Sequence, residues 1–105
     1  MYEYTASVTK ITDGDTIHCS LDLGFNITLN DQTFRLARIN APEIATQEGK
    51  QSKEYLVNTL LNKPVVIKTI KDRREKFGRF LGEIFLDGIN INDLLVEKGL
   101  AKRYG

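Results

Sequence analysis

Cysteine and histidine are almost absent: among 105 residues there is one of each, Cys19 and His18. A lone cysteine excludes an intrachain disulfide framework and a cysteine-based zinc site. With a lone histidine, Ser-His-Asp, Cys-His and HExxH chemistries would all have to run through that one residue. No apolar run approaches the roughly 18 residues of a membrane span. The opening Met1-Tyr2-Glu3-Tyr4-Thr5 lacks the basic and apolar regions of a secretory signal, so the expectation is a chain that stays inside the cell or is already mature. Internal repeats, low-complexity tracts and Pro/Gly/Ser linkers are missing too, which predicts one domain over residues 1–105. What is present, 41% hydrophobic and 28% charged residues, is the composition of an ordinary globule. A chain of this size hides roughly 65% of its unfolded surface and can build one core without staples.

The net charge of +1 hides an uneven distribution. Residues 1–62 hold five basic and eight acidic side chains. Residues 63–79 hold seven basic ones (Lys63, Lys68, Lys71, Arg73, Arg74, Lys76 and Arg79) against Asp72 and Glu75. Such a stripe either attracts a polyanion or is a solvated loop.

Periodicity organises the rest. Residues 4–11 are rich in β-branched side chains and end at Asp13-Gly14, a tight-turn signal. From Thr16, Ile17, Cys19, Leu21 and Leu23 alternate with His18, Ser20 and Asp22, which puts Cys19 on the core face and His18 on the opposite one. Leu23-Gly24-Phe25 reads as a bulge in this strand, which resumes through Ile27 and Leu29 and turns at Asn30-Asp31-Gln32. Residues 34–39 form a third strand, broken at Asn40-Ala41-Pro42. An amphipathic helix is expected over 48–62, stopped by Pro64. Strands over 65–70 and 79–85 flank a charged loop, 71–78. A last helix over 91–98 takes Asn90 as N-cap, Asp93 in a capping-box-like contact, and Gly99 at C′ with Leu100 packing back on Leu95. Three strands, a helix, two strands and a helix are the layout of an OB-fold, a five-stranded Greek-key barrel of the α+β class. In that fold the loops joining strands 1–2 and 4–5 frame the binding face, so Asp13-Gly14-Asp15 and the basic run meet at one end.

Asp13, Asp15 and Glu43 fall on turns near that end, with Asn40 and the Ala41 carbonyl beside them. Carboxylate, amide and carbonyl oxygens are hard ligands, better suited to Ca²⁺ than to zinc. Equally, Asp13 and Asp15 can simply shape a turn. Arg35 and Arg79 each lie at or near a strand start. Arg35 is expected to share its face with Ala37 and Ile39, and a charge there needs an anionic partner. That partner is Asp15 or Glu43, as an ion pair, or a substrate phosphate gripped by the guanidinium.

Taken in order, Ile11-Thr12-Asp13-Gly14-Asp15-Thr16, Phe34-Arg35-Leu36-Ala37-Arg38-Ile39-Asn40-Ala41-Pro42-Glu43, Glu75-Lys76-Phe77-Gly78-Arg79 and Gly99-Leu100-Ala101 resemble the staphylococcal (micrococcal) nuclease family, or thermonucleases. The resemblance runs from about residue 5 to residue 103. It implies a Ca²⁺-dependent phosphodiesterase that cuts DNA and RNA with little sequence preference, single strands favoured, as a monomer with no membrane partner. Asp15, Asn40 and the carbonyl of Ala41 match the family's metal ligands, and Asp13 a neighbouring acid behind them. Glu43 matches the proposed general base, and Arg35 and Arg79 the two arginines on the phosphate. The basic run supplies Lys71, Arg73, Arg74 and Lys76 as nucleic-acid contacts. Phosphodiester hydrolysis builds charge on an anionic centre, which a cation and two guanidiniums neutralise while a base aims the water.

Four departures stand out. Asn40 replaces a frequent aspartate, removing a charge from the cation site. Tyr104 stands one place out of register from the family's stacking tyrosines, and Phe77 is the alternative platform. The sequence stops at Gly105, before the third helix of longer members. Residues 23–30 lengthen the strand 2–3 region, as a projecting hairpin. The rival reading is a binding module, the same barrel holding nucleic acid or a protein ligand without cutting. Against it stands the joint presence of Asp15, Arg35, Glu43 and Arg79.

Overall fold

Alternation of apolar and polar residues builds the first half of the chain as a meander. Strands β1 (Tyr2–Asp13), β2 (Thr16–Asp22) and β3 (Thr28–Leu36) pair antiparallel in succession. The computed structural model describes residues 2–74 and 79–104, the side chains of residues 70–74 excepted. A two-residue strand, β4 (Ile39–Asn40), leads to helix α1 (Gln47–Leu60). Then come β5 (Pro64–Arg74), β6 (Phe80–Leu86), the short β7 (Ile89–Asn90), helix α2 (Ile91–Glu97) and β8 (Lys102–Arg103).

The strand order β3-β2-β1-β5-β6 closes on itself because β3 also pairs with β6, in parallel, at Phe34↔Phe80, Arg35↔Leu81 and Leu36↔Gly82. The result is a closed five-stranded barrel with two helices, the OB architecture expected. Inward positions follow the two-residue period: Ile17, Cys19 and Leu21 on β2, Phe34 and Leu36 on β3, Val65 and Ile67 on β5, and Ile84 on β6. On β1 the period slips from Val8 to Ile11, since a bulge between Val8 and Lys10 absorbs one residue. Leu56 and Leu60 of α1 and Ile91 and Leu95 of α2 complete the core. Among the described residues no helix is long and apolar enough to cross a membrane.

Several expectations need correction. The predicted bulge and the predicted turn between strands 2 and 3 have exchanged places. The chain reverses at Gly24, Phe25 and Asn26, all at positive φ, closed by Leu23 N–H to Ile27 O (3.0 Å) and Ile27 N–H to Gly24 O (2.9 Å). The bulge lies at Asn30-Asp31, two residues opposite Ser20 alone, with Asp31 at φ 54°. Both segments offer residues that tolerate a left-handed backbone, so local chemistry could not rank them. The third strand ends at Leu36 rather than continuing to Ile39. Arg38 at φ 68° breaks it, so Arg35 faces away from the buried Phe34, Leu36 and Ile39. The predicted loop 71–78 is strand as far as Arg74, and its remainder lies outside the described residues. Helix α1 is capped by Thr46 and ends at Leu60, two residues short, because Leu61 and Asn62 leave helical geometry.

The last helix keeps most of its predicted grammar. Asn90 Oδ1 accepts from Asp93 N–H at 3.0 Å. Gly99 N–H donates to Val96 O (3.0 Å) and Leu100 N–H to Leu95 O (2.8 Å), the Schellman pair. The Asp93 side chain makes no capping box; it pairs with Arg38 (2.8 Å) and Arg103 (3.2 Å).

Candidate active site

The β1–β2 turn holds its acids at the barrel end in a fixed way. Asp13 Oδ1 accepts the Asp15 N–H at 3.0 Å, an Asx turn, so Asp13 shapes this turn. Gly14 between them is constrained by space. A Cβ there would lie 2.6 Å from Ser52 Cβ on α1 and 2.8 Å from Ala41 Cβ. The turn is thereby wedged between the helix and the 41–43 loop.

Asp15 is only 8% exposed. Its backbone oxygen takes the Leu36 N–H (2.8 Å), its Oδ2 the Ala41 N–H (2.8 Å) and its Oδ1 the Thr16 hydroxyl (3.2 Å). Burial raises its carboxyl above the ordinary value. The Asp13 hydrogen bond and charge push the same way, while the Ala41 N–H and Arg35 oppose them. Arg35 answers this charge. Its Nη2 lies 3.6 Å from Asp15 Oδ2 and 3.0 Å from Asn40 Oδ1, and its Nη1 donates to Leu36 O at 2.9 Å. One guanidinium therefore spans an oxygen of Asp15 and one of Asn40.

Arg79, just before β6, donates Nη1 to Thr16 Oγ1 at 3.2 Å. Thr16 thus touches both Arg79 and Asp15, a link the sequence reading missed. Its signal was its place on the outward side of β2, two residues from His18. Glu43 is exposed, and its backbone is pinned. The Thr46 N–H (2.9 Å) and hydroxyl (2.6 Å) both donate to its carbonyl, and that hydroxyl accepts from Gly49 N–H at 3.0 Å. A side chain at Gly49 would run into the Glu43 carbonyl, so a glycine is needed there. The C-terminal segment closes the group, with the Tyr104 ring 5.9 Å from Arg35 Cζ.

Asp13, Asp15, Arg35, Asn40, Ala41, Arg79 and Tyr104 are tied together by these contacts. The side chains of Lys71, Arg73 and Arg74, and all of Lys76 and Phe77, lie outside the described residues. His18 and Cys19 make none of these contacts. His18 is bonded to Asp31 (3.0 Å) and Thr12 (3.0 Å). The Cys19 thiol is pushed up to about 12 by burial.

The family described as staphylococcal nuclease homologue matches residues 33–105. The chain belongs to the staphylococcal nuclease family. That match takes in Arg35, Asn40, Ala41, Glu43 and Arg79 and leaves out Asp13 and Asp15, which full-span similarities cover. The chain is 28% identical over 110 residues to endonuclease YhcR of Bacillus subtilis, covering 97% of this chain and 9% of that protein. It is 32% identical over 100 residues to an uncharacterized endonuclease of Haemophilus influenzae, 95% of this chain and 52% of the other. To the thermonuclease of Staphylococcus hyicus it is 26% identical over 106 residues, 95% and 59%. The chain therefore spans from 9% to 59% of the length of these curated relatives.

The family implies a bound cation, and the donor set can be tested against one. Among the described residues no group of three or more His, Cys, Asp and Glu side chains is arranged to hold a metal. The available donors are one buried carboxylate, the Asn40 amide oxygen and the Ala41 carbonyl, all hard oxygens. Two of these oxygens already share a positive group, the Arg35 guanidinium. By donor chemistry this is the class of ligand a hard, oxygen-seeking cation takes, with a single carboxylate to balance its charge.

Proposed function

We propose that this chain is a calcium-dependent phosphodiesterase that hydrolyses DNA and RNA with little sequence preference. The observation that carries this reading is the convergence of a buried aspartate, Asp15, with two guanidiniums, Arg35 directly and Arg79 through Thr16, in a chain of the staphylococcal nuclease family.

The chemistry follows from the groups present. Arg35 and Arg79 bind the non-bridging oxygens of the scissile phosphate, a geometry to which planar guanidiniums are matched. Asp15 Oδ2, Asn40 Oδ1 and the Ala41 carbonyl are the oxygens that would hold Ca²⁺. Bound there, Ca²⁺ would supply positive charge against the charge developing on the phosphate. Glu43, an exposed carboxylate whose backbone α1 fixes, takes the proton of the attacking water. The water oxygen bonds to phosphorus, the P–O bond opposite it breaks with its electron pair going to the departing oxygen, and that alkoxide takes a proton from solvent water to leave as the alcohol. Both ring nitrogens of His18 are taken up by Asp31 and Thr12, which leaves the base role to a carboxylate.

The test is incubation of single-stranded DNA and RNA with the purified protein, with Ca²⁺, with EGTA, and with Glu43→Gln in place of the wild type. Cleavage should require Ca²⁺, stop on chelation, and fall in Glu43→Gln by about 10²-fold or more at unchanged thermal stability. Full activity in Glu43→Gln would remove it as the base. Restoration by Mg²⁺ alone would argue against the calcium site, and binding without cleavage would favour the rival module.

A further inference from the structure

Arg38 sits where an arginine is costly. Its φ of 68° is left-handed, a conformation that disfavours any residue with a Cβ. A glycine would suit the backbone better, so the side chain has to justify its place. Its Nε and Nη2 form a fork on Glu83 of β6, both at 2.7 Å, and Nη2 also reaches Asp93 of α2 at 2.8 Å. The two carboxylates are held from elsewhere. Glu83 accepts from Asn90 Nδ2 (3.0 Å), and the Asp93 N–H is fixed by Asn90 Oδ1.

What this clamp holds is the segment that carries the site. On one side Ala37 N–H donates to Gly82 O (2.9 Å), and its carbonyl accepts from Asn92 Nδ2 (2.9 Å). On the other side Ile39 and Asn40 pair with Arg103 and Lys102. The Arg38 carbonyl itself accepts the Tyr104 N–H at 2.8 Å, and Arg103 shares Asp93 at 3.2 Å. The backbone carrying Asn40 and Ala41 and the backbone carrying Tyr104 therefore meet at one residue, anchored to β6 and α2.

We propose that Arg38 is a positioning residue of the active site. Its grip on Glu83 and Asp93 sets where the Asn40 and Ala41 oxygens and the Tyr104 ring stand against Asp15 and Arg35. The catalytic consequence rests on the function proposed above; the placement of the loop does not. A surface ion pair of purely structural value would change thermal stability and nothing local. A positioning residue changes the site before it changes the fold, as partners behind metal ligands do.

The test separates these. Arg38→Gly keeps the left-handed backbone and removes the fork; Glu83→Gln leaves Arg38 in place and weakens its anchor, a second route should the first variant fold poorly. Amide hydrogen exchange without metal reads loop placement through the Ala41 N–H, bonded to Asp15, and the Tyr104 N–H. Val8, bonded to Lys63 O, is the core reference. Ala41 and Tyr104 should exchange about ten-fold faster in Arg38→Gly with Val8 unchanged, and Glu83→Gln should follow more weakly. Calorimetric titration with Ca²⁺ should show affinity about ten-fold lower. Unchanged exchange at Ala41, or equal acceleration at Val8, overturns the proposal. If Ala41 exchange rises while the wild type neither binds Ca²⁺ nor cuts, the placement by Arg38 stands and the nuclease reading falls.

Discussion

At its first residue, Thr16, β2 leaves a turn in which nearly every group is committed; at its last, Asp22, it runs into a hairpin tip where few are. Added side-chain volume at Gly14 would strike Ser52 and Ala41, whereas Gly24 has nothing within 4 Å. Asp15 is tied to Leu36, Ala41, Thr16 and Arg35, whereas Phe25 is 96% exposed, with Leu23, Ile27 and Leu29 also open to solvent. The two turns share one piece of local chemistry, an Asp side chain that accepts the N–H two residues on, Asp13 from Asp15 and Asp22 from Gly24. What differs is what packs against them. Tertiary contact, and not turn chemistry, decides which end is fixed enough to carry an activity.

The comparison is broken most severely at the committed end. Arg35→Ala and Arg79→Ala should each lower kcat/KM on single-stranded DNA by about 10²–10³-fold, the usual loss when a positioned donor to a developing charge is removed. Removing Arg35 also leaves Asp15 buried without its cation, so this variant should lose stability as well. Arg79→Ala should stay close to wild type in melting temperature. Equal, modest losses in both variants would point to general polyanion attraction. The same assay on Phe25→Ser should show no change.

A space-filling change ranks next. Gly14→Ala should cost about 1–3 kcal/mol in denaturant unfolding, because Ser52 and Ala41 must both give way. Adding Ala41→Gly should recover part of that loss by opening one of the two contacts. A neutral Gly14→Ala would mean that the wedge between turn, helix and loop is loose.

Much of this end could be read from the sequence, because it is written locally. Asp13-Gly14-Asp15 is a turn on its own chemistry, Asn90 caps α2 in sequence, and Gly99-Leu100 closes it. What the sequence left open is what needs a partner from far away. Of the two carboxylates open to Arg35, the fold brings Asp15 to it, together with the Asn40 amide. Thr16 became a bridge only because Arg79 arrives beside it from 63 residues on. Arg38 was one more basic residue in a motif until Glu83 and Asp93 were brought to it. The exchanged bulge and turn have the same origin. Gly24-Phe25-Asn26 and Asn30-Asp31-Gln32 both permit reversal, and β1 pairs only as far as Asp22, at Thr5, so the barrel's extent made the choice.

Charge gives a finer probe of how the committed end is anchored. Arg38 holds the Asp93 carboxyl below its ordinary value, chiefly through their hydrogen bond, with Arg103 assisting. A carboxyl lowered on folding stabilises above its unfolded pKa, and that stabilisation disappears as pH falls through the lower folded value. Asp93→Asn should therefore lower the melting temperature at pH 7 and make no difference at pH 2. The loss should be smaller than that of Gly14→Ala, since both partners are substantially exposed. An undiminished difference at pH 2 would mean that the ion pair is not its source.

The smallest effect belongs to the open end. Phe25→Ser removes a side chain that buries almost nothing, so folding stability should stay within about 0.5 kcal/mol of wild type. The hairpin keeps its closure in this variant, because the Leu23–Ile27 and Asp22–Gly24 hydrogen bonds involve no Phe25 side-chain atom. The change also leaves three exposed apolar neighbours in place, so solubility should improve only modestly. A loss above 1 kcal/mol would mean that Phe25 is covered in solution. The contrast between the two ends of β2 would then have to be redrawn as one between two packed regions.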